Sequence, residues 1–182
     1  MAHAPDAEPR PFRAYYRSMR GRWTGTFAFA LTDPAALGAS DLSWVERSQV
    51  RWMAAVQRVI GPFRIDTTVD DAQPAEVVHT TRVSKWGLTL FVGLERFVPE
   101  PNGRDGRVLG GWSARPRWPW QRDQGYGDDA RVRVDEDALG ATYRMRALGD
   151  LVQVARVNPA GLSLVQRTGW SRADVQLMRV DG

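Results

Sequence analysis

The feature that most constrains the fold is an alternating run that opens with a glycine and a tryptophan, Gly21-Arg22-Trp23. Along residues 23–31 the larger apolar side chains fall mostly at every second position, as in a β-strand with one buried face. Arg179 lies near the other end of the chain, in the last strand-like segment. An indole fills a wide cross-section, and an arginine stem can lie over its face while the guanidinium caps carbonyl groups. We therefore predict that Trp23 and Arg179 form the floor of a closed barrel; the alternative is a tryptophan that merely begins a buried strand.

Most of the remaining sequence has the composition and alternation of β-strands. Nine further candidates are residues 63–69, 76–83, 86–98, 107–113, 131–134, 141–148, 151–157, 162–168 and 173–180. Several of the links between them are short and turn-like, which favours antiparallel neighbours. The predicted fold is mainly β: a single antiparallel up-and-down barrel of about eight to ten strands.

One helix and one long loop interrupt the strands. Between residues 41 and 60 apolar side chains recur at helical intervals, Ser43 and Glu46 have capping-box spacing, and Gly61-Pro62 supplies a stop. We predict a helical insertion after the first strand, either a lid over the barrel mouth or a stopper on an open sheet face. Residues 114–129, rich in proline, arginine, tryptophan and glycine, are predicted to be a long irregular loop.

Composition excludes several classes of protein. The chain of 182 residues, 43% hydrophobic, can bury one good-sized core, and it has no cysteine for a disulfide, a thiol nucleophile or a thiolate metal site. His3 and His79 are its two histidines, too few for a multi-histidine metal site. The net charge is +4, but the basic residues are spread along the chain and interleaved with 21 acidic ones, so nucleic acid is not an expected partner.

The N-terminal stretch and the hydropathy pattern give further expectations. Residues 1–14 lack the apolar core of a secretory signal and are predicted to be a disordered lead-in to one barrel domain over residues 15–182. No apolar run approaches the length of a membrane span, and the expected location is the cytoplasm. There is no phosphate-cradling loop or dinucleotide fingerprint, so no cofactor is expected.

The chain resembles the calycin superfamily, which includes the lipocalins and the fatty-acid-binding proteins. The residues that carry the resemblance are Gly21-Arg22-Trp23 and Arg179, together with the helical insertion after the first strand and the run of hairpin strands. This resemblance implies a small apolar molecule held inside the barrel. That molecule is the expected partner, and a homodimer is left open.

Candidate ligand contacts come from the alternating pattern. Trp86, Leu88 and Leu90 share one predicted strand face, Met145 shares another with Tyr143, and Trp112 belongs to an aromatic cluster with Trp118, Trp120 and Tyr126. An interior of this kind suits a lipid, polyketide or aromatic ligand. The alternative is that these side chains fill a core. The aromatic cluster has the composition of a nucleic-acid or partner surface, but on a long loop with prolines it is expected to form a flap at the barrel mouth.

Three residues are candidates for proton transfer or carbonyl polarisation: His79, Glu95 and Tyr143. His79 alternates with Val77 and Val83, and Glu95 shares a face with two phenylalanines, a setting that raises the pKa of a carboxyl group. The alternatives are a hydrogen-bonded core histidine and a Glu95 paired with Arg82 or another arginine. Three functions follow: a binding protein for an apolar or aromatic metabolite, a cofactor-free isomerase or cyclase, and a filled structural barrel.

Overall fold

An antiparallel β-barrel forms the body of the protein. The computed structural model describes residues 11–70, 76–115, 124–146 and 149–180. The helices are α1 (Pro11–Met19), α2 (Pro34–Ala39) and α3 (Trp44–Ile60). The strands are β1 (Gly21–Leu31), β2 (Phe63–Asp70), β3 (Val77–Lys85), β4 (Leu88–Pro99), β5 (Asp105–Ala114), β6 (Gln124–Gly125), β7 (Arg131–Val134), β8 (Gly140–Arg146), β9 (Asp150–Asn158), β10 (Gly161–Arg167) and β11 (Ser171–Arg179).

The strand order closes on itself. β1 pairs with β2 on one side and with β11 on the other, which joins the first strand to the last. β5 pairs with β4 along one edge and with β7 along part of the other, while the two-residue β6 pairs with Gly111 and Trp112 of β5. The ring runs through ten of the described strands and leaves out β6. This confirms the predicted fold class, a mainly β up-and-down barrel with a helical insertion, α2 and α3, after the first strand.

Helix α1 plugs one end of the barrel. Its apolar side chains recur at helical spacing and are almost completely buried in the barrel core: Phe12, Tyr15, Tyr16 and Met19. Close packing of the helix needs a glycine on β5, because a Cβ at Gly106 would lie 2.5 Å from Phe12 Cε2. The buried stripe on α1 makes this end of the barrel the closed one.

The expectation of disorder over residues 1–14 is corrected by α1. Residues 11–14 belong to the helix, and Phe12 has no exposed surface. The physical reason is the apolar stripe at 12, 15, 16 and 19, which the barrel interior buries. Residues 1–10 lie outside the described ranges.

Trp23 and Arg179 hold α1 against the barrel. Arg179 Cζ lies 4.8 Å from the centroid of the buried Trp23 ring, and the two residues are register partners on β11 and β1. Trp23 Nε1 donates a hydrogen bond to Met19 O at 2.7 Å, and the Arg179 guanidinium donates to Ser18 O. Both acceptors are carbonyls of the last turn of α1, where a cation also complements the helix dipole. The pair therefore caps the helix that forms the floor.

Helix α3 covers part of the opposite end. It begins with a capping box in which Ser43 and Glu46 exchange hydrogen bonds, and it ends at Gly61, whose φ is 76°. Residues from its inner face, including Val45, Val50 and Met53, line the barrel interior. In the described ranges no helix is both long and apolar enough to cross a membrane.

A buried glutamine fastens α3 to the barrel. Gln57 Oε1 accepts a hydrogen bond from Phe29 N and Gln57 Nε2 donates to Phe27 O, both at 2.6 Å. The pairing of β1 with β2 ends at Phe27 and Phe63, so the backbone beyond this point has a free edge. Because buried backbone groups need partners, the glutamine amide extends the hydrogen bonding of that edge.

Candidate functional site: the barrel cavity

The barrel encloses a cavity of about 770 Å³ between α1 and α3. This volume lies within the usual range of small-molecule sites. Most of the wall is apolar and includes Phe27, Ile65, Leu90, Phe91, Phe97, Trp112, Met145, Leu151, Leu162, Leu164, Val175 and Leu177. Polar side chains in the wall include Thr67, His79, Thr81, Glu95, Tyr126, Tyr143, Gln153 and Gln166. An apolar wall with a few polar groups is typical of a site that binds and orients a small organic molecule.

His79 and Glu95 lie directly opposite each other on β3 and β4. The separation of His79 Nδ1 and Glu95 Oε2 is 4.0 Å, which is too long for a hydrogen bond. Tyr16 of α1 packs edge-on against the imidazole, with ring centroids 5.6 Å apart. The two titratable residues therefore lie at the deep end of the cavity, beside the floor.

A hydrogen-bonded chain of aromatic residues reaches Glu95. Trp112 Nε1 donates to Tyr126 Oη, and Tyr126 Oη donates to Glu95 Oε1. The Trp112 indole lies against Gly93 of β4, where a Cβ would come within 3.0 Å of indole Cε2. Gly93 thus gives the indole room within the barrel, and the chain fixes one oxygen of Glu95 while leaving the other toward His79.

Burial governs the electrostatics of this pair. It lowers the pKa of His79 to about 3, so the imidazole is neutral near pH 7. It raises the pKa of Glu95, and the hydrogen bond from Tyr126 and the nearby indole N–H of Trp112 oppose this rise. His79 Nε2 is buried and has no hydrogen-bond partner among the described residues. The described residues contain no cluster of three or more metal-ligating side chains.

The suggested ion pair between Glu95 and Arg82 is not formed. From Val77 to Val83 the buried positions alternate, at residues 77, 79, 81 and 83, so the exposed Arg82 points to the outer surface while Glu95 points inward. Strand alternation explains the separation, because residues of opposite parity lie on opposite faces.

Tyr143 lies in the cavity wall, but its hydroxyl belongs to a cluster at the floor. Tyr143 Oη accepts from Tyr16 Oη at 3.4 Å and donates to Tyr15 Oη at 3.3 Å. Burial raises the pKa of all three phenols, so they are neutral near pH 7. The structure thus joins β8 to α1 through the hydroxyl that was expected to orient a ligand carbonyl.

The predicted ligand contacts divide into two groups. Leu90, Trp112 and Met145 line the cavity. Trp86 and Leu88 do not: they are 76% and 67% exposed at the turn between β3 and β4. The prediction that they share an interior face with Leu90 is corrected.

The hairpin turn is the physical reason for that correction, and a β-bulge follows it on β4. Val83 and Ser84 of β3 pair with Phe91 and Thr89 of β4, which leaves Leu90 as an extra residue. Leu90 and Phe91 consequently both reach the cavity, and the alternation on either side of the bulge changes phase. Trp86 and Leu88 precede the bulge and have the same parity as Leu90, so their exposure follows from their position at the turn and not from a change of face.

Tyr126 is the functional candidate whose position sequence reasoning missed. It was grouped with the mouth flap, whereas its backbone N donates to Gly110 O and its hydroxyl meets Glu95. Only the pairing of β6 with β5 brings these residues together, and a two-residue strand has no recognisable sequence pattern. Trp118 and Trp120 of the proposed flap lie outside the described residues.

Comparisons with known proteins give similarity to solved structures alone. No protein-family model and no curated protein matches the chain. One similar structure is titled "REP1-NXSQ fatty acid transporter", with a TM-score of 0.47 and 9% identity over 91% of this chain and 98% of that one. A point mutant of that transporter has a TM-score of 0.48 and 8% identity over 90% of this chain and 99% of that one. The closed antiparallel barrel itself rests on the strand pairings of the described residues.

Proposed function

We propose that this protein binds a small, largely apolar molecule inside the barrel. The observation that carries the proposal is the cavity of about 770 Å³, walled mainly by apolar side chains and bounded by α1 and α3. An apolar molecule that enters such a space leaves water and gains contacts with the wall, at roughly 25 cal/mol for each Å² of apolar surface removed from water.

The paired polar groups of the wall agree with this proposal. Thr67 Oγ1 and Thr81 Oγ1 lie 3.2 Å apart, and Gln166 Nε2 donates to Gln153 Oε1 at 2.6 Å. Because these groups satisfy one another, an apolar ligand can pass over them without breaking a hydrogen bond to the protein. Glu95 beside His79 is the polar feature at the deep end that can orient the ligand.

A cavity-filling variant tests the proposal. Ala173 lies in the wall, while Ala30 on the neighbouring strand is exposed. We expect Ala173→Phe to weaken the binding of an environment-sensitive apolar fluorophore by about tenfold or more, because the new ring occupies ligand space. Ala30→Phe should leave that affinity unchanged. Circular dichroism and thermal unfolding of both variants establish that they are folded.

The outcomes decide between the functions. Failure of the wild-type protein to bind any apolar fluorophore would favour a filled barrel and overturn the proposal, as would equal binding by both variants. Native mass spectrometry of protein from its own host identifies what the cavity holds. Incubation of that molecule, or its precursor, with the protein separates a binding protein, which returns it unchanged, from an isomerase or cyclase.

A further inference from the structure

We propose that the ligand's polar end is a hydrogen-bond donor, as in an alcohol or an amine, and that it meets Glu95 at the deep end of the cavity. A ligand ending in a carboxylate is disfavoured by the same geometry. This inference rests on the proposed binding function and specifies the chemical class of the bound molecule.

One of the two carboxyl oxygens of Glu95 accepts no hydrogen bond from the described residues. Tyr126 donates to Oε1, while Oε2 is 4.0 Å from His79 Nδ1 and so beyond hydrogen-bond distance. The Glu95 side chain lines the cavity and is 14% exposed. A carboxyl oxygen turned toward a mainly apolar space is stabilised by a donor that reaches it. Among the described residues no hydrogen bond to Oε2 is formed, since the Trp112 indole donates to Tyr126, so a donor on the ligand can supply it.

The positive charge of the cavity lining lies far from Glu95. Of the described residues that line the cavity, Arg115 is the one with a permanent cation. It follows β5, whereas the β5 residue opposite Glu95 is Gly110, five positions earlier and so about 16 Å away along the strand. Arg115 is exposed, and its Nη1 donates to Ala114 O at 3.3 Å. The cation therefore lies at the mouth, far from the carboxyl group.

The other polar groups near Glu95 are uncharged near pH 7. The buried His79 is neutral near pH 7, because burial lowers its pKa, and the phenol of Tyr126 is already engaged with Glu95. A ligand carboxylate placed here would meet a carboxyl group and a neutral imidazole, with no described cation to compensate its charge. A hydroxyl or ammonium group instead donates to Glu95, and the Trp112 and Tyr126 rings are suitable neighbours for a cation.

Three matched ligands test the inference: decanol, decylamine and decanoate, each used to displace an apolar fluorophore from the full-length protein at neutral pH. We expect the alcohol or the amine to bind about tenfold more tightly than the carboxylate. Tighter or equal binding of decanoate would overturn the inference while leaving the proposed function intact. Absence of fluorophore binding would instead overturn the function itself.

Variants of Glu95 connect that preference to the residue. Glu95→Gln keeps the size of the side chain and an acceptor oxygen, so the alcohol should retain most of its affinity while any advantage of the amine is lost. Glu95→Leu removes the acceptor and should bring the three affinities within about threefold of one another. Glu136→Gln, at an exposed carboxylate, is the control and should keep the wild-type order. An unchanged order in a folded Glu95→Gln and Glu95→Leu pair would show that Glu95 does not meet the ligand.

Discussion

At the scale of single residues, His79 links folding to pH. Its pKa of about 3 lies below the ordinary value of 6.5, so between these values the unfolded chain binds more protons than the folded one. The stabilising effect of a neutral His79 is complete above pH 6.5 and is lost as the pH falls toward 3. We expect a loss of at most about 3 kcal/mol between pH 7 and pH 4 from this residue. Urea unfolding of wild type and His79→Phe at both pH values measures it.

The neighbouring carboxyl group acts with the opposite sign. Burial raises the pKa of Glu95, so the folded state binds more protons there, and that contribution to stability is lost as the pH rises through the raised pKa. Tyr16 and Phe97 pack against the imidazole and are uncharged. His79→Phe should therefore be less sensitive to acid than wild type. Equal losses in both proteins would contradict a neutral, buried histidine.

The sequence predicts individual residues of the cavity better than their combination. Alternation places His79 and Glu95 on interior faces because each strand is regular around them. Their direct pairing depends on the register of β3 with β4, which the bulge at Leu90 sets and no local pattern reveals. Alternation also fails for Trp86 and Leu88, because they lie at the exposed turn between β3 and β4, past the end of the cavity wall.

At the scale of the elements, one side chain supplies the hydrogen bonds that join α3 to β1. Gln57→Leu removes both hydrogen bonds to β1 and leaves Phe29 N and Phe27 O without their partner. We expect a loss of about 1–3 kcal/mol in the free energy of unfolding, together with faster release of a bound fluorophore. Gln176→Leu, the same change on the exposed face of β11, is the control and should have a small effect. Similar losses in the two variants would rule out the anchor.

The two end helices show why one could be predicted and the other was missed. α3 has 17 residues, a capping box and a terminal glycine, so its local signals agree. α1 has nine residues, and its stripe from Phe12 to Met19 follows a polar, proline-rich stretch that is typical of a disordered lead-in. What stabilises α1 is burial in the barrel, and burial by distant strands is not readable from nine residues.

At the scale of the whole molecule, the two ends of the barrel differ in how firmly they are closed. α1 buries four of its nine residues and is capped by Trp23 and Arg179, whereas α3 buries two of its 17. Segments with few buried contacts open at lower free energy than the core. We therefore expect a ligand to enter past α3, with the deep carboxyl group of Glu95 at the end of its path.

Amide hydrogen exchange tests this asymmetry. We expect the amides of α3 to exchange well before those of α1, and those of α1 to be protected nearly as well as the barrel strands, because α1 opens only when the core opens. A saturating ligand should slow exchange in α3 more than in α1, since a molecule in the cavity contacts Val45, Val50 and Met53 from the inside. Gln57→Leu should accelerate exchange in α3 and leave α1 unchanged. If α1 exchanged first, the floor would be the entrance, and Glu95 would then lie at the mouth rather than the end of the ligand's path.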